Sequence, residues 1–359
     1  MSQDLLRTED FTLKQRLQLA VIGCGAVTEH RHLPALAGRG DCQIVALVDS
    51  NRKRAEELAS QFRVPQVFAD YHETLRSGID VAVVALPNHL HAPVSVDFLK
   101  AGIHVLVEKP MGRTTAECDA MLAAAEAGGA LLAVGLMRRF MQSAQFAKRA
   151  IDSGLLGPIH SFDIRDGFIF SWPLASDFFF RKDAAGGGVL IDTGVHTLDQ
   201  VLWWLGDAQS FEYYDDNFGG VETDCEIFLE LQSGVRGKVE LSRTRNLRNT
   251  AIIRGEAAEL EVGLVRNFAA LRLPHAPVQI VGQGASASLP AKVQSNQVEV
   301  IAAEYDDFFE AIRTERQPTV SGLEGRRSVA LIEACYRERQ PLSLPWDLPA
   351  VPALQEVTR

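Results

Sequence analysis

Residues 17–28 read LQLAVIGCGAVT: an apolar run, a glycine-containing turn, and the start of a helical pattern. A lone G-x-G carries little information, but here a strand-like run precedes it and a helix-like stretch follows. Asp49 lies 21 residues beyond Thr28, at the end of the next apolar run, close to the spacing of about 20 at which an acid reads a ribose. The spacing therefore predicts a dinucleotide-binding βαβ unit. Gly23 allows the tight turn, and Gly25 lets the backbone approach a pyrophosphate. Ala26 and Val27 open the helix whose N–H groups face it. Asp49 is expected to accept hydrogen bonds from the adenosine ribose and to repel a 2′-phosphate, which favours NAD. Arg54, with Arg52 and Lys53, stands just beyond and could accommodate NADP instead. Thr28 occupies a position where glycine or alanine is usual; its hydroxyl either loosens the helix–sheet contact or touches the cofactor.

Around this unit, Leu17–Ile22, Gln43–Val48, Val81–Leu86, His104–Val107 and Leu131–Gly135 are continuous apolar runs. Helix-like stretches 28–37, 52–62, 92–101 and 115–127 separate them. Such alternation predicts a doubly wound parallel sheet, an α/β Rossmann domain over 17–139. Residues 1–16 are too polar for a signal-peptide core and read as an N-terminal extension.

The pattern changes after Phe140. Helical patterns at 143–152, 189–205, 300–313 and 323–339 frame a strand at 159–166 and two hairpin-like pairs, 225–232 with 235–242 and 251–254 with 259–262. The expectation is a C-terminal α+β domain over 140–345 with a large, mainly antiparallel open sheet, followed by a proline-rich tail, 346–359.

The totals exclude several classes. Of 359 residues, 36 are Lys or Arg and 46 Asp or Glu, so the net charge is −10. No basic stripe overrides it, so nucleic acid is not an expected partner. No apolar run approaches the ~18 residues of a membrane span. Five dispersed cysteines without C-x-x-C predict reduced thiols in a cytoplasmic protein. The histidines and cysteines lack ligand spacing, so no metal is expected.

The run HVLVEKPMG, 104–112, ends a strand on an acid, an amine and a proline. Ligands of doubly wound sheets bind outside the carboxyl ends of the strands. Glu108 and Lys109 should therefore face the nicotinamide end of the cofactor, with Pro110 fixing the chain. Leu86, Pro87, Asn88 and His91 occupy the same edge and are expected against the cofactor. In the second half, a helix over 189–205 would place Asp192, His196, Asp199 and Trp203 on one stripe and Ile191, Val195, Leu198, Leu202 and Leu205 on an apolar neighbour. Gly186, Gly187 and Gly188 before it leave room for substrate or for a strand.

Together, GCGAVT with His32-Leu33-Pro34-Ala35-Leu36, Asp49, PNHLH, AGIHVLVEKP, Arg138-Arg139-Phe140 and GGGVLIDTGVHTLD (186–199) resemble the Gfo/Idh/MocA oxidoreductases over residues 17–345. The resemblance implies an acid/base pair of Lys109 and His196 with Asp192 as positioning partner. It leaves either Lys109 or His196 as the proton acceptor. It further implies a homodimer or homotetramer. The function expected is NAD(P)-dependent hydride transfer between nicotinamide and a secondary alcohol or ketone of a sugar, cyclitol or related polyol, a sugar acid or nucleotide sugar included. The alternatives are an NAD-dependent glycosidase with transient oxidation and a non-catalytic NAD/sugar sensor. Substrate contacts are expected from Arg139, from Trp172 and Arg181 in and beside the aromatic loop 168–180, and from Arg245 in the cluster Arg243, Arg245 and Arg248.

Overall fold

Val, Ile and Leu runs, with one short edge segment, form six strands in the computed structural model of the chain, which describes residues 16–173, 176–217, 219–274, 279–282 and 297–343. They are β1 (Leu17–Ile22), β2 (Cys42–Val48), β3 (Gln66–Phe68), β4 (Val81–Val84), β5 (His104–Glu108) and β6 (Leu132–Gly135). All pair in parallel in the order β3-β2-β1-β4-β5-β6. The chain moves outward from β1 to β3, then crosses to β4 on the other side. This topological switch opens a crevice at the carboxyl ends of β1 and β4. The short edge strand β3 is absent from the sequence reading. Helix 92–101 of that reading begins earlier, at Asn88, so Asn88 to His91 form a helical turn and not a loop.

Nine strands build the second sheet: β7 (Ile159–Gly167), β8 (Ala208–Asp215), β9 (Asp224–Leu231), β10 (Arg236–Ser242), β11 (Thr250–Gly255), β12 (Glu259–Gly263), β13 (Phe268–Arg272), β14 (Gln279–Gly282) and the two-residue β15 (Gln340–Pro341). Their order is β14-β13-β12-β11-β7-β10-β9-β8-β15, antiparallel except for β7 with β10 and β8 with β15. Phe162, Ile164, Ile227, Val239, Leu241 and Ile253 are buried on one face. The opposite face carries paired charges, among them Lys238 with Glu226 at 2.7 Å and Arg272 with Glu261 at 2.7 Å. Both expected hairpins form.

The expected helix over 189–205 is two joined pieces. A π-helical turn, Leu190–Gly194, precedes an α-helix, Val195–Leu205. The wider turn shifts the angular register, and such turns occur frequently at functional sites. Its N-terminus is closed by Glu222, fully buried, whose carboxylate accepts from the N–H groups of Gly188 and Leu190 at 2.9 Å and from the Tyr336 hydroxyl at 2.7 Å. A Cβ on Gly188 would lie 1.9 Å from the Glu222 carbonyl oxygen. That glycine therefore admits the chain at Glu222, not a substrate.

The last two long helices return to the first sheet. Gln297–Thr314 packs on the segment 28–36, and Gly322–Arg337 packs on Thr115–Gly128. Of the expected N-terminal extension, residues 1–15 lie outside the described residues, as does the tail 346–359.

Candidate active site

The turn after β1 has the geometry a pyrophosphate requires. Gly23 has φ +102°, and a Cβ there would lie 2.2 Å from the Ala85 carbonyl oxygen. In front of Gly25 a Cβ would meet nothing within 4 Å, so its backbone faces open space. Asp49 holds this turn: its carboxylate accepts from the N–H groups of Cys24 at 2.7 Å and Asn51 at 2.8 Å. Thr28, fully buried, donates its hydroxyl to the Gly23 carbonyl at 2.7 Å. The hydroxyl thus tightens the turn and is not offered to a cofactor. Arg54 lies over the turn, with Nε 3.3 Å from the Cys24 carbonyl and its guanidinium paired with Glu29. The cradle fits a dinucleotide, with Gly23, Gly25, Ala26 and Val27 as its floor.

Across the switch point, Leu86 and Pro87 lead from β4 into the helix beginning at Asn88. His91, fully buried, sits with one ring nitrogen 2.7 Å from the Pro110 carbonyl and the other 2.7 Å from the Leu86 carbonyl. It ties the two loops at this sheet edge together and has no nitrogen left for a ligand, contrary to the expectation of cofactor contact. Asn88 is also buried. Its side-chain amide donates to the Ala185 carbonyl at 2.8 Å, joining the two halves of the chain.

At the end of β5, Lys109 Nζ donates to Asp192 Oδ1 at 2.7 Å and to the Asp192 carbonyl at 3.0 Å. The other carboxylate oxygen of Asp192 accepts from Arg243 at 2.7 Å. One anion is thus shared by two cations. Burial alone would raise the Asp192 carboxyl, but Lys109 and Arg243 bring it down to about 2. Asp192 stays ionised at any working pH, and the group keeps one unit of positive charge. The Arg243 guanidinium, 6% exposed, stacks 5.4 Å from the centre of the Phe170 ring, and its Nε has no other partner among the described residues.

His196 is held well below the ordinary histidine range, first by burial and then by the cations of Arg138, Lys109 and Arg31. Its Nδ1 is buried without a partner among the described residues. Neutral imidazole is the form able to accept a proton. Arg138 itself is fixed by the buried Asp166 at 2.6 Å. Glu108, 14% exposed, accepts from His32 at 3.0 Å and from the Lys109 N–H at 3.1 Å.

The expected four-residue stripe divides. Asp192 faces Lys109, whereas Asp199 and Trp203 face Arg139 behind the site. Arg139, 2% exposed, donates to Asp199 at 2.8 and 2.6 Å and to Glu324 at 2.6 Å, and its guanidinium lies 5.2 Å from the Trp203 ring. Arg139 is therefore consumed by buried pairs and is not available to a substrate. Arg245 likewise binds Asp224 at 2.7 Å and Glu240 at 3.2 Å. Arg181 pairs with Asp183 at 2.7 Å in an exposed position. Trp172 packs against Arg31, whose guanidinium sits 4.7 Å from the centre of its ring.

Arg243 is the site residue that was not singled out from its cluster. By strand alternation Arg243 and Arg245 would share a face. After Ser242, however, the hydroxyl of that serine accepts the N–H groups of Thr244 and Arg245, at 3.1 and 2.9 Å. This turn sends Arg243 inward and Arg245 to the charged outer face. Among the described residues no group of three or more His, Cys, Asp or Glu side chains is placed to hold a metal ion. No helix there is long and apolar enough to cross a membrane.

Comparison with known proteins identifies the family. The NAD-binding Rossmann model of an oxidoreductase family matches residues 17–136, and the GFO/IDH/MocA C-terminal domain model matches 144–261. The chain is 30% identical to trans-1,2-dihydrobenzene-1,2-diol dehydrogenase of Mus musculus over 70% of its own length and 73% of that protein. It is 32% identical to D-glucoside 3-dehydrogenase of Escherichia coli over 60% and 62%. The structure of a levoglucosan dehydrogenase with NADH and levoglucosan superposes with a TM-score of 0.81 at 23% identity, covering 90% of this chain and 97% of that one. The chain belongs to the Gfo/Idh/MocA family of NAD-dependent oxidoreductases.

Proposed function

We propose that this enzyme oxidises a secondary alcohol on a six-membered polyol ring, or reduces the corresponding ketone, with the reacting oxygen held between Lys109 and His196. The observation that carries the reading is the shared Asp192 carboxylate. Two cations on one anion leave a fixed positive charge beside a neutral histidine. Oxidation of an alcohol develops negative charge on oxygen while releasing a proton, and those are the two needs this pair meets. NAD, when bound, supplies the hydride acceptor. Lys109 donates a hydrogen bond to the substrate oxygen and stabilises its developing charge. His196 takes the proton. Asp192, ionised throughout, orients the ammonium and does not itself exchange a proton.

The relatives named above act on a dihydrobenzene diol and a D-glucoside. What these names share is a hydroxyl-bearing ring, and the aromatic residues Phe170 and Trp172, packed on Arg243 and Arg31, suit the faces of such a ring. A functional division at 139/140 places the cofactor on the N-terminal part and the substrate on the C-terminal part. The charged outer face of the second sheet is the surface we assign to self-association. Five free, buried cysteines accord with a reducing, cytoplasmic setting.

The test is a spectroscopic screen. Purified protein is mixed with NAD or NADP and a panel of cyclitols, hexoses, glycosides, uronates and nucleotide sugars, and reduced-nicotinamide absorbance is followed. Reduction with a ring polyol supports the reading. Glycoside cleavage without accumulation of NADH would replace it with a transient-oxidation glycosidase.

A further inference from the structure

Behind Glu108 runs a hydrogen-bond chain that the proposed reaction does not use. The helix Gln297–Thr314 places the Tyr305 hydroxyl 2.8 Å from Nδ1 of His32, and His32 Nε2 lies 3.0 Å from Glu108 Oε1. Tyr305 and His32 are both fully buried. Burial, followed by Glu304 and Glu108, pushes the Tyr305 phenol well above its ordinary value, so it remains a hydroxyl. The carboxylate can only accept, so the tautomer that serves it carries Nε2–H, and with that tautomer Nδ1 accepts from the Tyr305 hydroxyl. Burial opposes the charge on Glu108, but the His32 hydrogen bond, Lys109 and Arg31 outweigh it and hold the carboxyl below its usual range. Next to this anion, Glu304 stays protonated well above the ordinary carboxyl range, because of burial and then Glu108 itself. Of two neighbouring carboxyls, only the one supplied with a donor is charged.

Glu108 is the last residue of β5, on the nicotinamide side of the switch point. The oxidised nicotinamide ring carries a positive charge that the reduced ring lacks. Lys109 and Arg31 face the same region and would repel it. We infer that Tyr305 and His32 are positioning residues that hold Glu108 as an oriented anion, offsetting those cations so that the site accepts oxidised nicotinamide. The inference rests on NAD binding at the β1–β4 crevice and assigns the balance between the two redox forms to residues outside the Lys109, Asp192 and His196 set.

The test needs no substrate. Dissociation constants for NAD+, NADH and ADP-ribose are measured by calorimetry on the wild-type, Glu108→Gln and Tyr305→Phe proteins. ADP-ribose lacks the nicotinamide ring and reports on the rest of the site. The expected result is an increase of about tenfold in the Kd(NAD+)/Kd(NADH) ratio for Glu108→Gln. Tyr305→Phe, which removes one donor and keeps the ring, should raise the ratio about threefold. ADP-ribose binding should be unchanged in both. A ratio that stays at the wild-type value in Glu108→Gln while ADP-ribose still binds overturns the inference and leaves the cofactor assignment standing. Equal weakening of all three ligands also overturns it, in favour of a purely structural chain. Failure of the wild-type protein to bind either form of NAD overturns the cofactor assignment and this inference with it.

Discussion

Asp192 and Asp199 lie seven residues apart on one continuous helical segment, yet their surroundings are opposite. Asp199 is fully enclosed, gripped in bidentate fashion by Arg139, with Glu324 on the same guanidinium. There Arg139 carries two carboxylates, Glu324 is shared with Arg327 at 3.0 Å, and burial raises the Asp199 carboxyl despite the arginine. Asp192, at the cleft, has two cations for one carboxylate and is lowered to about 2. The first arrangement joins Met137–Phe140 to two helices of the C-terminal half. The second keeps a cation in surplus where a substrate oxygen would sit. Asp199 is buried and spent on joining the two halves of the chain, whereas Asp192, between two cations, is the carboxylate we assign to the reaction.

Removing the surplus cation should have the largest effect. Lys109→Ala is expected to lower turnover ~10³-fold while leaving the NADH dissociation constant unchanged, since it removes charge stabilisation from the transition state and not from the cofactor cradle. Turnover within a few-fold of wild type would assign that stabilisation elsewhere.

The two arginines sharpen the contrast. Arg139→Ala leaves Asp199 buried and unpaired, and chemical denaturation should show a loss of about 3–5 kcal/mol. Arg243→Gln is expected to lower kcat ~30-fold, because Asp192 keeps Lys109 but loses the group that fixes its second oxygen. Its melting temperature should fall less than that of Arg139→Ala. The reverse ranking in stability would exchange the two roles.

A smaller effect concerns Glu304, whose two carboxyl oxygens are buried without partners among the described residues. The unfolded carboxyl ionises near pH 4.3, while the folded one remains protonated well above that. Stability from this group is complete below the unfolded value and is lost as pH rises toward the folded one. Glu304→Gln should therefore gain on wild type by up to about 1.4 kcal/mol per pH unit across that window. Denaturation curves at pH 5 and pH 8 that differ equally for both proteins would remove the explanation.

Much of this was legible in the chain itself. The run Leu17–Ile22 and the helix Arg52–Phe62 form as read, because a largely apolar run and the Asn51 cap, which accepts the Arg54 N–H, are local signals. Strands β3, β8, β13 and β14 were not read, since pairing with neighbours far away in sequence, not their own composition, makes them strands. At the site, Lys109 and Asp192 are brought together from 83 residues apart, and the motif order had announced the pair. The fates of Arg139, His91 and Arg245 were hidden for one shared reason. Each is a good ligand donor by type, and only the three-dimensional packing shows a partner already in place.

We assign Asp192 to the reaction and Asp199 to the fold. The most direct measurement compares Asp192→Asn and Asp199→Asn side by side, in urea unfolding and in turnover per folded molecule on the substrate found by the screen. Asp192→Asn is expected to unfold near the wild-type midpoint with turnover reduced ~10²-fold, and Asp199→Asn to unfold at clearly lower urea with near-normal turnover in its folded fraction. Equal losses of turnover at unchanged stability, or the opposite pattern, would contradict this assignment.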